Sequence, residues 1–242
     1  MLIALIGYGK MGRLIEEVAV QKGHKIILKI NSSNKKDLHY ENLAKADVAI
    51  EFTNPENAYE NVKKCIELDT PVISGSTGWN EKLDEIKKYC KEKNGCFLHA
   101  SNFSIGVNIF FEINKYLARL MASQNEYDVS IKEIHHTQKK DVPSGTAVTL
   151  AEQVLSYNQR KKSWVNNITD DTSEIQIISE RTDPAAGTHQ VKYSSSIDDI
   201  EIIHTAHNRL GFASGAVLAA EYIYNKKGVF SMKDVLSLNS TV

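Results

Sequence analysis

A short apolar segment at the start of the chain leads directly into three closely spaced glycines. Leu2–Ile6 has the length and composition of a buried strand, and Gly7-Tyr8-Gly9-Lys10-Met11-Gly12 follows it. From Met11 to Lys22, apolar residues recur every three or four positions, which indicates a helix. A G-x-G-x-x-G turn between a strand and a helix is typical of a dinucleotide-binding βαβ unit.

Each glycine of this turn has a different steric task in such a unit. The first allows the tight turn, the second lets a pyrophosphate approach the backbone, and the third lets the helix pack against the sheet. The helix start adds free N–H groups and a partial positive charge. An ordinary structural turn is the alternative. We expect a dinucleotide to be bound by Gly7, Tyr8, Gly9, Lys10, Met11 and Gly12.

Two further polar turns follow predicted strands in the same part of the chain. Gly75-Ser76-Thr77 comes after a strand that begins at Thr70, and Ser101-Asn102-Phe103-Ser104 comes after Cys96–His99. Ligands of open α/β sheets bind at the carboxyl ends of the strands. We therefore expect both turns to contact the nicotinamide half of the cofactor, with ordinary loops as the alternative.

The segment after the second strand bears on which dinucleotide is bound. NAD-specific proteins of this kind usually have an acidic residue there, which contacts the ribose hydroxyls. Residues 31–36 are Asn-Ser-Ser-Asn-Lys-Lys and contain no carboxylate. This favours NADPH, with use of NADH left open. In the alternative interpretation, Lys35 and Lys36 belong to a solvated loop.

The order of the predicted elements divides the chain into two domains. Strands and helices alternate through the first hundred residues, which indicates a parallel sheet with helical crossovers. After a long helix, consecutive strands with short turns predict a mixed or antiparallel sheet, and a last helix is predicted over 214–224. We predict an α/β protein with a Rossmann dinucleotide-binding domain, residues 1–102 and 210–242, and a second α+β domain, residues 103–209, for substrate binding and oligomerisation.

Composition limits the classes of partner. The 242 residues carry a formal net charge of −1, so no basic field favours nucleic acid or an anionic membrane. No apolar run approaches the roughly 20 residues that span a bilayer. Cys65, Cys90 and Cys96 lack metal-ligand spacing, and we expect them to be reduced and partly buried. These features predict a cytoplasmic protein that binds small molecules and holds no metal.

The segment richest in chemically active side chains lies in the second domain. A predicted strand ends in His135-His136, and Lys139 follows closely. Ser144-Gly145-Thr146 begins a helix, with Ser144 as N-cap, so its free backbone N–H groups form an anion site. Histidine titrates near neutrality, and lysine both pairs with carboxylates and donates protons. Because neighbours on a strand point to opposite faces, the two histidines do not easily chelate one metal.

These segments together resemble those of the dihydrodipicolinate reductases. The resemblance runs nearly end to end, and its most specific part is the pattern His-His-x-x-Lys-x-Asp-x-Pro-Ser-Gly-Thr-Ala within residues 133–147. It implies an NAD(P)H-dependent reductase that converts a cyclic, unsaturated dicarboxylate to tetrahydrodipicolinate in diaminopimelate and lysine biosynthesis. The other matching segments are residues 7–13, 47–55, 75–79, 101–108 and 209–220.

The resemblance also implies roles for individual residues. His135 would be the acid/base residue and Lys139 the proton donor, and the glycine-rich turn and the two polar turns would hold the cofactor. The family is usually a homotetramer assembled through the sheets of its second domains. The substrate carboxylates would be held by His136, Ser144, Gly145 and Thr146.

The chain departs from the family at two places near these residues. It has Thr188 where relatives often have glutamate, and Thr137-Gln138 where they are often more basic. From the residues alone, two other functions stay open. One is a different Rossmann-fold reductase of a small carboxylate, and the other is a non-catalytic NADPH-binding sensor.

Overall fold

The computed structural model describes residues 1–38 and 40–238 of the chain. They form two compact units, each with its own sheet and its own hydrophobic core. Unit 1 contains the residues up to Ile105 and those from Leu210 onward, and unit 2 contains Gly106–Arg209. These units are defined by contacts within the folded chain, whereas a domain is defined by its ability to fold independently. The domain boundaries expected from the sequence therefore stay predictions.

The described residues contain eleven strands and eight α-helices. The strands are β1 (Leu2–Ile6), β2 (Lys25–Ile30), β3 (Val48–Glu51), β4 (Val72–Ser74), β5 (Cys96–His99), β6 (Asp128–His135), β7 (Ser163–Val165), β8 (Glu174–Arg181), β9 (Gly187–Ser194), β10 (Asp199–Ala206) and β11 (Gly228–Phe230). The helices are α1 (Lys10–Gln21), α2 (Tyr40–Leu43), α3 (Pro55–Glu67), α4 (Leu83–Glu92), α5 (Ile105–Met121), α6 (Gly145–Leu155), α7 (Leu210–Ile223) and α8 (Met232–Val235).

The sheet of unit 1 is parallel throughout, in the order β11-β5-β4-β3-β1-β2. Helices α1 and α7 pack on one face, and α3 and α4 pack on the other. The residues of β3 and β4 are all buried, as expected for strands covered on both faces. The strand order reverses between β1 and β3, and ligands of open α/β sheets bind at such a position.

The sheet of unit 2 is mixed, in the order β10-β9-β6-β8-β7. Strand β8 runs parallel to β6 and β7, whereas β9 runs antiparallel to β6 and β10. Helices α5 and α6 share a core with one face of this sheet. The predicted class, a Rossmann fold followed by an α+β fold with a mixed sheet, is therefore confirmed.

Several elements differ from the sequence-based prediction. Helix α7 begins at Leu210 and not at residue 214, because Gly211 and Gly215 lie inside a helix whose buried face is made of small residues. Strands β7 and β11 were not predicted, since three residues are too few to show a period. Residues 239–242, which the predicted first domain includes, lie outside the described residues.

The three cysteines are unpaired, as expected, but their burial differs from the prediction. Cys65, Cys90 and Cys96 are free and buried more deeply than predicted, and burial raises the pKa of each thiol. Helices with the length and hydrophobicity needed to cross a bilayer do not occur in the described part of the chain.

Candidate active site

The glycine-rich turn follows β1 at the position where the strand order reverses. Gly7 has φ +99°, and an added Cβ there would lie 1.9 Å from the carbonyl oxygen of Phe52. An added Cβ on Gly12 would lie 2.3 Å from the Gly7 oxygen, whereas one on Gly9 would have no atom within 4 Å. The protein's own packing therefore requires two of the glycines, and the third faces open space.

Helix α1 begins at this turn without a side-chain cap. Gly9 is the N-cap, no side chain bonds to the first turn, and no acidic residue lies in it. The first N–H groups of a helix have no intrahelical acceptor, and they attract anions. Open space at Gly9 beside these groups fits the pyrophosphate of a dinucleotide.

Tyr8 lies between the start of α1 and the end of β2. Its hydroxyl donates to Glu16, whose other carboxylate oxygen is 2.7 Å from Lys29 Nζ. The Lys29 ammonium is 4.8 Å and the Arg13 guanidinium 5.3 Å from the Tyr8 ring centroid. Hydrogen bonds from Lys29 and Tyr8 lower the pKa of Glu16. The nearby carboxylate is thus already paired, and two cations surround the ring.

The residues after β2 form a self-contained turn. Asn31 Oδ1 accepts from the Ser33 N–H at 2.8 Å, and Asn34 Oδ1 accepts from the Asn31 N–H at 2.7 Å. Lys36 is exposed, and the side chain of Lys35 lies outside the described residues. This turn offers amide and hydroxyl groups to a ribose or its phosphate.

The turn after β4 is held tightly in unit 1. An added Cβ on Gly75 would lie 2.2 Å from the ring of Phe52. The Ser76 carbonyl oxygen accepts from Trp79 Nε1 at 2.8 Å and lies 3.2 Å from His99 Nε2. Thr77, in contrast, is exposed. Ser76 is therefore fixed in place, and Thr77 is the residue of this turn that faces outward.

A residue without a sequence-based assignment, Glu51, organises the same turn. This fully buried carboxylate accepts from Ser74 Oγ at 2.6 Å and from Ser76 Oγ at 2.9 Å. It also accepts from the Thr53 N–H at 3.0 Å. Its signal in the sequence is an acidic residue that ends a strand otherwise made of buried apolar residues.

The turn after β5 contributes mostly backbone. Asn102 Oδ1 accepts from the Ser104 N–H at 2.9 Å, and Ser101 is exposed. Phe103 belongs to the hydrophobic core, with its ring centroid 5.5 Å from that of Phe52. Of the four residues predicted to bind cofactor here, Phe103 can offer only its main chain.

In unit 2, His135 is the last residue of β6, and His136 follows directly after the strand. His135 is buried on the face that packs against the helices, and an added Cβ on Gly187 would lie 3.0 Å from its Nε2. His136 is half-buried, and its Nε2 accepts from Arg209 Nη2 at 3.3 Å. Arg209 thereby places a guanidinium beside one of the predicted substrate-binding residues.

Lys139 follows in a turn in which its N–H donates to the His136 carbonyl oxygen at 3.1 Å. Its ammonium lies 2.7 and 2.8 Å from the two carboxylate oxygens of Asp141. Burial is the largest single effect and raises the pKa of Asp141, but the hydrogen bond and the charge of Lys139 together with a backbone hydrogen bond lower it below its ordinary value. Asp141 is therefore the ion-pair partner of Lys139 in this structure.

Helix α6 begins beside these residues, with Ser144 as its N-cap. Ser144 Oγ accepts from the Ala147 N–H at 3.2 Å and lies 3.0 Å from His189 Nε2. The Ser144 side chain is buried, whereas Gly145 is exposed and an added Cβ on it would have no atom within 4 Å. The groups that remain available to an anion are thus the first-turn amides of Gly145 and Thr146.

Glu133 and His189 lie beneath this helix start. Glu133 is fully buried on the same face as His135, and burial lowers the pKa of His189 to about 3, with His135 adding to the effect. The rings of His135 and His189 meet edge to face at 5.0 Å between centroids. His189 is therefore a neutral packing partner. No sequence signal pointed to it, because it comes from a strand 54 positions later than His135.

One group of side chains has the composition of a metal site. The ligand atoms of Glu133, His135 and His189 lie within 4.8 Å of one another. The guanidinium of Arg181 lies 3.2 Å from Glu133, and Ser144 Oγ lies beside His189. A cation next to the carboxylate and a hydroxyl next to one imidazole favour a hydrogen-bonded cluster over a metal centre.

Comparisons with known proteins agree along the whole chain. The family profile described as dihydrodipicolinate reductase, N-terminus, matches residues 1–103, and that described as dihydrodipicolinate reductase, C-terminus, matches residues 106–236. The 4-hydroxy-tetrahydrodipicolinate reductase of Christiangramia forsetii is 48% identical over 235 residues, which are 97% of each chain. That of Buchnera aphidicola subsp. Schizaphis graminum is 37% identical over 200 residues, 78% of this chain and 72% of the relative.

Solved structures share the fold. Dipicolinate-bound dihydrodipicolinate reductase from Paenisporosarcina sp. TG-14 has a TM-score of 0.75 at 23% identity, over 96% of this chain and 97% of that one. The dehydrogenase MviM from Clostridium difficile has a TM-score of 0.54 at 13% identity, over 92% and 89% of the two chains. The two-part architecture is thus also found in dehydrogenases with little sequence similarity to this chain.

Proposed function

This chain belongs to the dihydrodipicolinate reductase family, and we propose that His135 and Lys139 carry out the proton chemistry of its reaction. The chain catalyses the pyridine-nucleotide-dependent reduction of a cyclic, unsaturated dicarboxylate to tetrahydrodipicolinate in diaminopimelate and lysine biosynthesis. Membership of this family removes the alternatives that the residues left open, namely a different Rossmann-fold reductase and a non-catalytic sensor.

The assignment of residues rests on one observation in unit 2. The loop between β6 and α6 carries the Lys139 ammonium, and the exposed start of α6 follows it. The His136 imidazole lies at the beginning of the same loop, next to the Arg209 guanidinium. A substrate with two carboxylates needs such a set, because charge-assisted hydrogen bonds hold anions most strongly. His136, Arg209, Gly145 and Thr146 hold the carboxylates in this proposal, and Ser144 supports them as the helix cap.

The protein's own residues supply charge stabilisation and a proton. When bound, the reduced nicotinamide supplies a hydride to a ring carbon of the substrate's conjugated C=C–C=N system. Negative charge then develops on that system, and the Lys139 ammonium stabilises it and transfers a proton from Nζ. Hydride and proton together complete the two-electron reduction. His135 acts as the acid/base residue that replaces the proton on lysine.

Substitutions at the two proposed catalytic residues test this assignment. Lys139→Ala and His135→Ala should each lower kcat for dihydrodipicolinate-dependent NADPH oxidation by about 100-fold or more, the usual range for an acid/base group. The nucleotide dissociation constant should stay within twofold. Lys140→Ala is the matched control, since Lys140 is an exposed neighbour. Activity that survives both catalytic substitutions would rule out the assignment.

The cofactor site supports NADPH as the preferred nucleotide. Arg13 and Lys29 lie near the Tyr8 ring, and residues 31–36 contain no carboxylate that would repel a 2′-phosphate. Steady-state kinetics with both nucleotides test the preference. A kcat/KM that is higher for NADH than for NADPH would contradict it.

The mixed sheet of unit 2 supports assembly into a homotetramer. Its helices cover one face, and the opposite face carries a cross-strand row in which Ile203 is 57% exposed next to Gln190 and Lys132. Light scattering should give about four times the chain mass of 27.1 kDa, and Ile203→Glu should give smaller species. A monomeric wild-type protein would contradict the proposal.

Buried, unpaired cysteines suit a reducing compartment, which supports the cytoplasm as the location.

A further inference from the structure

Glu133 is a charged residue on an otherwise uncharged, buried face of β6. Val129 and Ile131 precede it on that face, and all three side chains are buried. An unpaired carboxylate in such surroundings would lose its favourable solvation by water, so burial is tolerated only with well-placed partners. The partners of Glu133 therefore show what the buried charge is used for.

The two carboxylate oxygens of Glu133 face different parts of the site. Oε1 accepts from the Ser144 N–H at 3.1 Å and from Arg181 Nη2 at 3.2 Å. Oε2 lies 3.2 Å from His135 Nδ1 and 3.8 Å from His189 Nε2, and neither Oε2 nor Nδ1 makes a hydrogen bond of regular geometry among the described residues. One oxygen thus holds the start of α6, and the other faces the ring of the proposed acid/base residue.

Arg181 continues this network into the loop that carries Lys139. Its Nη2 donates to the Asp141 carbonyl oxygen at 2.8 Å, and its Nη1 donates to the Glu180 carbonyl oxygen at 2.9 Å. The side chain of Asp141 in turn binds the Lys139 ammonium. The guanidinium therefore joins the end of β8, the carboxylate in β6 and the backbone two residues beyond Lys139.

The other ring nitrogen of His135, Nε2, lies beside a residue without a side chain, Gly187. Gly187 begins β9, and an added Cβ there would lie 3.0 Å from His135 Nε2. A side chain at this position would therefore cover Nε2. With Nδ1 directed at Glu133, Nε2 is the nitrogen that faces Gly187.

We propose that Glu133 and Arg181 form a positioning pair for the reaction. Glu133 Oε2 holds His135 in the tautomer with a proton on Nδ1, so that Nε2 exchanges protons. A hydrogen bond to one ring nitrogen sets the state of the other in this way. Glu133 Oε1 and Arg181 hold the Lys139 loop and the carboxylate-binding helix start at a constant spacing. The inference rests on the roles proposed for His135 and Lys139.

Kinetic and spectroscopic measurements on Glu133→Gln separate positioning from mere stability. The amide keeps the shape and the bond from the Ser144 N–H, but it has no charge and no fixed acceptor for His135. We expect kcat to fall at least tenfold, with KM and the nucleotide dissociation constant within threefold of wild type. In ¹⁵N imidazole spectra, the His135 signals should change from the Nδ1–H tautomer to a mixture, with assignment from His135→Ala.

A matched control lies on the same face of the same strand. Val129→Ala removes buried volume four residues from Glu133 and lowers the melting temperature without touching the network. Its kcat should equal that of wild type. Equal losses of kcat in Val129→Ala and Glu133→Gln at equal melting temperature would overturn the proposal, as would an unchanged His135 tautomer in Glu133→Gln.

Substitutions at Arg181 provide the second variant if Glu133→Gln does not fold. Arg181→Met should lower kcat at least tenfold, and Arg181→Lys should recover part of that loss, because it keeps the charge beside Glu133. Equal kcat in both variants and wild type would overturn the proposal. Activity that survives Lys139→Ala and His135→Ala is a separate result, which would refute the proposed roles of those two residues.

Discussion

Three chemically identical substitutions in the glycine-rich turn should have three different outcomes. Gly7→Ala places a Cβ 1.9 Å from the Phe52 carbonyl oxygen and forces φ +99° on a residue with a side chain. Such a φ costs about 1–2 kcal/mol for an L-residue. The overlap requires a backbone shift worth roughly 1–3 kcal/mol more. We therefore expect Gly7→Ala to lose about 2–5 kcal/mol of stability.

Gly9→Ala should leave stability unchanged or slightly improved. Its φ of −93° is allowed for alanine, and the new Cβ meets no protein atom within 4 Å. Alanine in place of a compatible glycine gains about 0.4–1 kcal/mol through the unfolded state. The methyl group projects into the space assigned to the pyrophosphate, where one lost hydrogen bond to a charged group is worth about 1.5–3 kcal/mol. Nucleotide affinity should therefore fall by about 10- to 150-fold.

Gly12→Ala combines a clash with a favourable helix residue. The added Cβ would lie 2.3 Å from the Gly7 oxygen, but alanine inside a helix gains about 1 kcal/mol over glycine. The expected stability is therefore between those of the other two variants.

Thermal unfolding and nucleotide titration distinguish the three variants. At about 2–4 °C per kcal/mol for a chain of this size, Gly7→Ala should melt roughly 4–20 °C below wild type. Gly9→Ala should melt at or slightly above the wild-type temperature. The reasoning would be refuted if Gly9→Ala bound NADPH as tightly as wild type does, or if Gly7→Ala were as stable as wild type.

Three further changes test other parts of the structure. Glu51→Gln places an amide N–H₂ where the Ser74 and Ser76 hydroxyls now donate to a carboxylate. The free energy of unfolding should fall by about 1–3 kcal/mol in denaturant melts, and titration should show weaker nucleotide binding. Gly215→Ala places a Cβ 1.8 Å from the Phe103 carbonyl oxygen and should prevent folding. In the control Gly211→Ala, the atom nearest to the new Cβ is 3.7 Å away, so circular dichroism should show a folded protein. The pKa of His189 in the folded chain, about 3, lies below the ordinary histidine value of 6.5. The unfolded chain thus binds the proton first, and the melting temperature should fall as pH decreases from about 6.5 toward 3.

The conformation of the glycine-rich turn could be anticipated from the sequence because its physics is local, whereas its role in cofactor binding stays a prediction. Gly7 and Gly12 allow close approach of backbone atoms that are near in sequence or on the neighbouring strand, and Gly9 leaves open space beside the start of α1. The His135–Lys139 segment was equally visible, since its groups lie within one loop. In both cases the spacing of a few residues carries the geometry.

The supporting residues could not be anticipated because their partners are remote in sequence. Arg181 is 48 positions from Glu133, and only the parallel pairing of β6 with β8 brings them together. His189 reaches Ser144 through the antiparallel pairing of β9 with β6. Strand order within a mixed sheet depends on long-range packing, and periodicity in a single sequence does not report it.

Buried glutamates organise the loops proposed to bind ligands in both units. Glu51 is the last residue of β3 and fixes Ser76, and Glu133 near the end of β6 fixes the start of α6. Each carboxylate is buried during folding, when its partners become ordered, so the loops need little further ordering when a ligand binds. In both strands, the sequence feature that indicates this role is an acidic residue on an otherwise apolar, buried face. A charge at such a position is costly to keep, which makes it a better guide to a preorganised loop than the exposed charges nearby.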